Sequence, residues 1–137
     1  ERFESEAIDV VAHHGGRVVK FIGDEAFFVV EDIPSAVDVA LEVADRMAAD
    51  EPSVALHTGI AMGATVTIAG DVFGNTVNLA KRLTDAARKG RIVLPRADAE
   101  ALSEREDLAV RRVARSLDLK GVGRTAAVSV SRRKSAD

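Results

Sequence analysis

Residues 15–30 read Gly15-Gly16-Arg17-Val18-Val19-Lys20-Phe21-Ile22-Gly23-Asp24-Glu25-Ala26-Phe27-Phe28-Val29-Val30. Two runs rich in β-branched and aromatic residues flank a short polar segment, the pattern of two strands joined by a tight turn. The spacing predicts strands over Arg17 to Gly23 and Ala26 to Glu31, with Gly23-Asp24-Glu25 between them. Upstream, Phe3 to His13 has the apolar spacing of a helix, which Gly15-Gly16 stops. Downstream, Pro34 starts a long helix through Ala49 with Val37, Leu41, Ala44 and Met47 on one face. Val54 to Met62 reads as a strand, Thr65 to Ala69 as a shorter one, and Thr76 to Arg88 as a helix closed by Gly90. Ile92 to Leu94 is a predicted strand and Asp98 to Glu106 a short helix. Leu108 to Leu119 and Ala126 to Ser131 read as a closing hairpin around Gly121-Val122-Gly123. Strand hairpins mixed with helices predict an α+β fold, not a purely parallel doubly wound sheet.

The 137 residues suit one domain spanning 1–137, with enough chain to bury a core. Hydrophobic residues make up 47% and charged residues 30%, as in ordinary soluble proteins. No apolar run approaches the ~20 residues that cross a bilayer and no signal-peptide pattern is present, so a cytoplasmic location without membrane contact is expected. The absence of cysteine excludes disulfides, thiolate metal sites and cysteine nucleophiles. A net charge of −3, with no Trp or Tyr to stack on bases, argues against a nucleic-acid partner. Arg111, Arg112 and Arg115, then Arg132, Arg133 and Lys134, read as solvated basic faces and tail.

Three places concentrate chemistry. In Lys20-Phe21-Ile22-Gly23-Asp24, a carboxylate at a strand tip beside a glycine suits Mg²⁺, and strand alternation puts Lys20 on the same face. The same residues also fit a plain surface Lys–Asp pair. In Asp71-Val72-Phe73-Gly74-Asn75-Thr76-Val77-Asn78-Leu79-Ala80-Lys81-Arg82, Asn78 and Arg82 stand four apart and share one helix face. Arg82 offers a planar fork of donors suited to phosphate, while Asp71 reads as an N-terminal loop or capping residue. In Leu119-Lys120-Gly121-Val122-Gly123, a lysine on a glycine turn can reach a polyphosphate or simply be solvated. His57 reads as a hydrogen-bonded sheet histidine, and no zinc spacing accompanies His13 and His14.

Together and in this order, the three places resemble the class III nucleotidyl cyclase catalytic domain. Residues 15–24 resemble its second metal-site motif, and His57-Thr58-Gly59 the strand that follows. Thr76-Val77-Asn78-Leu79-Ala80-Lys81-Arg82-Leu83 resembles its signature helix, and Leu119-Lys120-Gly121 its late phosphate-contacting lysine. The likeness runs from Phe3 to Val130. It implies a mixed, largely antiparallel sheet with helices packed on it, on a ferredoxin-like βαββαβ-type core.

The resemblance further implies conversion of ATP to 3′,5′-cyclic AMP and pyrophosphate with two Mg²⁺ or Mn²⁺ ions, Asp24 being one metal ligand. Asn78 would orient the ribose, Arg82 would stabilise the reacting phosphorus, Lys120 would hold terminal phosphate, and Lys20 with Asp71 would read the base. Adenine offers an acceptor at N1 and a donor at N6, which a lysine and an aspartate match; guanine inverts both. In that family the metal aspartates and the other site residues come from opposite chains, implying a head-to-tail homodimer or pairing with another cyclase domain. The family's first metal aspartate, in a Phe-x-Asp-x-x-Gly-Phe-like motif, is not among these residues, so little activity is expected of the isolated chain. The stretch from Gly63 to Gly70 is also shorter than the dimerisation arm of many relatives. Two other functions fit parts of the sequence. One is a partner-dependent or non-catalytic nucleotide-binding module; the other, on the likeness of residues 22–27 to a Gly-Gly-Asp-Glu-Phe turn, is a diguanylate cyclase.

Overall fold

The computed structural model describes residues 2–134. Helix α1 (Arg2–His13) buries Ala7, Val10 and Val11, spaced as one helix face requires. Strands β1 (Arg17–Ile22) and β2 (Glu25–Val29) form the predicted antiparallel hairpin, with a register shift between Val18 and Lys20. Helix α2 (Ile33–Asp50) starts where Asp32 accepts the Ser35 N–H at 2.8 Å, with Pro34 in its first turn. It buries Ile33, Ala36, Val37, Val39, Ala40 and Val43.

The chain continues through β3 (Thr58–Gly59), β4 (Val66–Ile68), β5 (Asp71–Phe73) and α3 (Asn75–Ala86). It closes with β6 (Ile92–Pro95), a 3-10 helix (Arg96–Leu102), β7 (Leu108–Arg112), β8 (Leu117–Leu119), β9 (Gly123–Thr125) and β10 (Ala127–Arg132). The largest sheet has the order β3-β6-β10-β7, and β1–β2, β4–β5 and β8–β9 are separate hairpins. All of these pairings are antiparallel except β3 with β6. The predicted α+β, largely antiparallel architecture holds.

Several local expectations change. The strand expected over Val54 to Met62 is laddered only at Thr58–Gly59. The helix expected over Asp98 to Glu106 is the 3-10 turn ending at Leu102. Leu108 to Leu119 is two strands: β7 pairs with β10, while β8 turns back onto β9. Asp71 is no helix cap, because it opens β5 and the residue capping α3 is Gly74, without a side-chain bond.

Two apolar clusters fix the elements that matter for the site. α2 packs through Ile33, Val37 and Ala40 on Ile92, Leu94, Val128 and Val130 of the main sheet. α3 packs through Leu83 with Ala87, Val93, Leu119 and Ala127. Leu83 and Leu94 are fully buried, each removing ~1.5–3 kcal/mol worth of side chain from water.

Candidate functional site

Lys20 and Asp71 stand 51 residues apart in sequence, yet Lys20 Nζ donates to Asp71 Oδ2 at 2.9 Å. The contact arises because β1 lies beside β5, and Arg17, at the start of β1, also donates to the Gly70 carbonyl at 3.1 Å. Asp71 Oδ1 accepts its neighbour's Val72 N–H at 2.8 Å. These bonds, Lys20 first and the Val72 N–H second, hold the Asp71 carboxyl below the usual carboxylate range against some desolvation. Lys20 keeps two further donors and each Asp71 oxygen a further lone pair, so the pair still presents a donor beside an acceptor.

Asp24 sits in the turn between β1 and β2, exposed, where Gly23 takes φ +60°. β1 ends at Ile22, two residues before Asp24, and Lys20 and Asp24 both line one cleft. Among the described residues no group of three His, Asp or Glu side chains is arranged to hold a metal ion. Asp24 is an exposed carboxylate that could contribute one oxygen ligand to a metal ion.

Asn78 and Arg82 lie one turn apart on α3, Asn78 exposed and Arg82 half-buried. Among the described residues Arg82 makes one long polar contact, Nη1 to Asp85 Oδ2 at 3.4 Å. Lys120 is exposed on the β8–β9 turn, which the Val122 N–H closes onto the Leu119 carbonyl at 2.9 Å. Leu83 and Leu119, the residues next to Arg82 and Lys120, share one buried cluster. The two cations are thus mounted on the same piece of core.

A cleft of about 980 Å³ runs between the β1–β2 hairpin, α2, the segment around β3, and the start of α3. Lys20, Asp24 and Asn78 line it, whereas Asp71, Arg82 and Lys120 do not. The structure therefore joins Lys20 to Asp71 directly, groups Arg82 with Lys120 through the core, and does not bond either pair to Asp24 or Asn78. Arg17 was not singled out by its sequence, since an arginine opening a strand reads as a solvated residue. His57 is satisfied as expected, by the Thr84 carbonyl at 2.9 Å.

The family model described as the adenylate and guanylate cyclase catalytic domain matches residues 5–131. An adenylate cyclase of Streptomyces coelicolor is 45% identical over 107 residues, covering 78% of this chain and 28% of that protein. An adenylate cyclase of Streptomyces griseus is 44% identical over 102 residues, covering 74% of this chain and 26% of that protein. This chain thus spans little more than a quarter of the length of those relatives. Among solved structures, an adenylate/guanylate cyclase/hydrolase from Silicibacter pomeroyi superposes with a TM-score of 0.75 at 23% identity, covering 98% of this chain and 82% of the other. The adenylyl cyclase CyaB of P. aeruginosa gives 0.72 at 17% identity, with 97% and 80% covered, which supports the shared fold. Among the described residues no helix is long and apolar enough to cross a membrane.

Proposed function

Because this chain belongs to the adenylate and guanylate cyclase catalytic domain family, we propose that it serves as a cytoplasmic adenylate cyclase domain. In this reading the ribose 3′-oxygen of ATP bonds to the α-phosphorus, the bond to the β-phosphate oxygen breaks, and cyclic AMP and pyrophosphate leave with loss of the hydroxyl proton. The observation that carries the reading is the 2.9 Å Lys20–Asp71 pair. Its remaining lysine donor suits adenine N1, and its remaining aspartate lone pair suits the N6 amino group. Guanine would set donor against donor and acceptor against acceptor, a mismatch that hydrogen-bonding sites reject by ~10⁴-fold or more.

The other residues act on the rest of the nucleotide. Asn78 orients the ribose, and the Arg82 guanidinium spreads its planar donors over charge developing at phosphorus. Lys120 meets the terminal phosphates as a mobile point charge. Mg²⁺ or Mn²⁺ is the proposed cofactor, with Asp24 as this chain's contribution and further carboxylate supplied from outside the described residues. The partner in this proposal is a second cyclase domain, identical or not, arranged head to tail. Ile22, Met62, Val66, Ile68 and Phe73 are each about half exposed or more, apolar surface that such a partner would cover.

The test pairs this chain with a cyclase domain that keeps its metal carboxylates but lacks the arginine equivalent to Arg82. Cyclic AMP from ATP should exceed cyclic GMP from GTP by at least about a hundredfold. Equal use of both nucleotides overturns the base assignment. Demonstrated pairing with ATP bound but no product supports a non-catalytic module instead.

A further inference from the structure

Thr84 makes two contacts that tie α3 to β3 and the residue before it, and one within α3 itself. Its hydroxyl donates to the Ala80 carbonyl one turn back at 2.8 Å, which leaves oxygen lone pairs free to accept the Gly59 N–H at 3.0 Å. Its carbonyl accepts from His57 Nδ1 at 2.9 Å, and because a carbonyl only accepts, that ring nitrogen carries the proton. The Gly59 amide is free for this role because the neighbouring Thr58 and Ile60 amides pair with β6, at 3.0 and 2.9 Å to the Arg91 and Val93 carbonyls. Strand alternation turns the Gly59 amide to the other edge. A Cβ on Gly59 would lie 2.2 Å from the Thr84 nitrogen, 2.6 Å from the Ala80 oxygen and 2.7 Å from the Leu83 carbonyl carbon. Those are backbone atoms of a helix and cannot swing aside, so α3 rests on β3 with no side chain between them.

We propose that Gly59, Thr84 and His57 form a latch that sets the rotation and axial position of α3, and with it the aim of Asn78 and Arg82. Thr84 is then a positioning residue for the reaction. The inference rests on the roles given to Asn78 and Arg82 above. Thr84 follows Arg82 by two residues, about 200° around the helix, so the latch grips the side facing away from the arginine. Leu83 holds α3 to the core, but apolar packing is not directional, whereas hydrogen bonds are. Displacing a reacting group by ~1 Å lowers rates by about a hundredfold, so an α3 whose seat on β3 is loosened should bind nucleotide yet react slowly.

The experiment compares Thr84→Val and Thr84→Ser in the chain paired with the complementing domain described above. The valine variant should lose turnover by about thirty- to a hundredfold while KM for ATP stays within about threefold. The serine variant, which keeps the hydroxyl, should return turnover to within about threefold of the parent. Hydrogen exchange at the Gly59 amide should quicken by about tenfold in the valine variant and not in the serine variant. Parental turnover in the valine variant overturns the positioning role, and unchanged Gly59 exchange overturns the latch itself. Equal losses in both variants, tracking the melting temperature, reduce Thr84 to a purely structural part. Should the unmutated pair make no cyclic nucleotide, the proposed function fails. The Gly59 exchange, with the backbone amide shifts of Asn78 and Arg82 in the valine variant, still decides the latch.

Discussion

Replacing Arg82 with alanine should separate catalysis from folding. Among the described residues Arg82 stabilises the chain through one ion pair, Nη1 to Asp85 Oδ2 at 3.4 Å, with side chains 34% and 50% exposed. A pair of that length and exposure contributes ~0.3–0.5 kcal/mol, so unfolding should shift by no more than that. The lost transition-state donor is worth far more: about 3–4 kcal/mol of barrier, or ~10²–10³-fold in turnover. Because Asp85 holds the guanidinium so weakly, turning it toward phosphate requires little rearrangement. Asp85→Ala should therefore leave turnover within about threefold. Arg82→Lys should recover little, since an ammonium cannot reproduce the planar fork. The assay is cyclic AMP formation by the paired domains, with ATP affinity by calorimetry and thermal melts of each variant. Turnover of Arg82→Ala within about threefold of the parent would refute the catalytic assignment. A loss of stability above ~1 kcal/mol would show that the arginine holds structure by contacts beyond Asp85.

Three further outcomes test the base site and the core. Lys20→Glu combined with Asp71→Cys should weaken ATP use and admit GTP, read from competition between the two nucleotides; an unaltered preference removes the pair from base recognition. The Asp71 carboxyl is depressed in the folded chain, chiefly by the Lys20 hydrogen bond, so its contribution is complete above the unfolded value near ~3.9 and lost as pH falls through the lower folded value. Carboxyl NMR should place that titration below ~3.9 and move it upward in Lys20→Ala; a midpoint at or above ~3.9 contradicts the contact. Leu83→Ala, at a fully buried site shared with Leu119 and Val93, should cost about 2–5 kcal/mol and lower the melting temperature by about 10 °C, and a change below ~1 kcal/mol would contradict the packing.

Much of the fold was legible because its signals are local. The apolar spacing between Phe3 and His13, the Pro34 start of α2, and the polar turn between two apolar runs each act within a few residues. Asn78 and Arg82 on one face follow from helix geometry alone. The failures came where pairing with another strand decides the outcome. Leu108 to Leu119 reads as one strand until β10 claims Leu108–Arg112 and β8 folds back on β9. Asp71, which reads as a loop or capping residue, pairs instead with Ile68 across the tight β4–β5 turn.

For the candidate site, the sequence by itself determined which side chains can do the chemistry and, through the likeness they carry, the family. Only the tertiary structure decided that Lys20 meets Asp71 across 51 residues, that Leu83 and Leu119 anchor Arg82 and Lys120 in one cluster, and that Thr84 rests on Gly59. It also decided that Lys20, Asp24 and Asn78 line one cleft. The reason is physical. Helix and strand periods are written in each residue's nearest neighbours, whereas ladder register and helix seating depend on where distant segments return, which a local pattern does not encode.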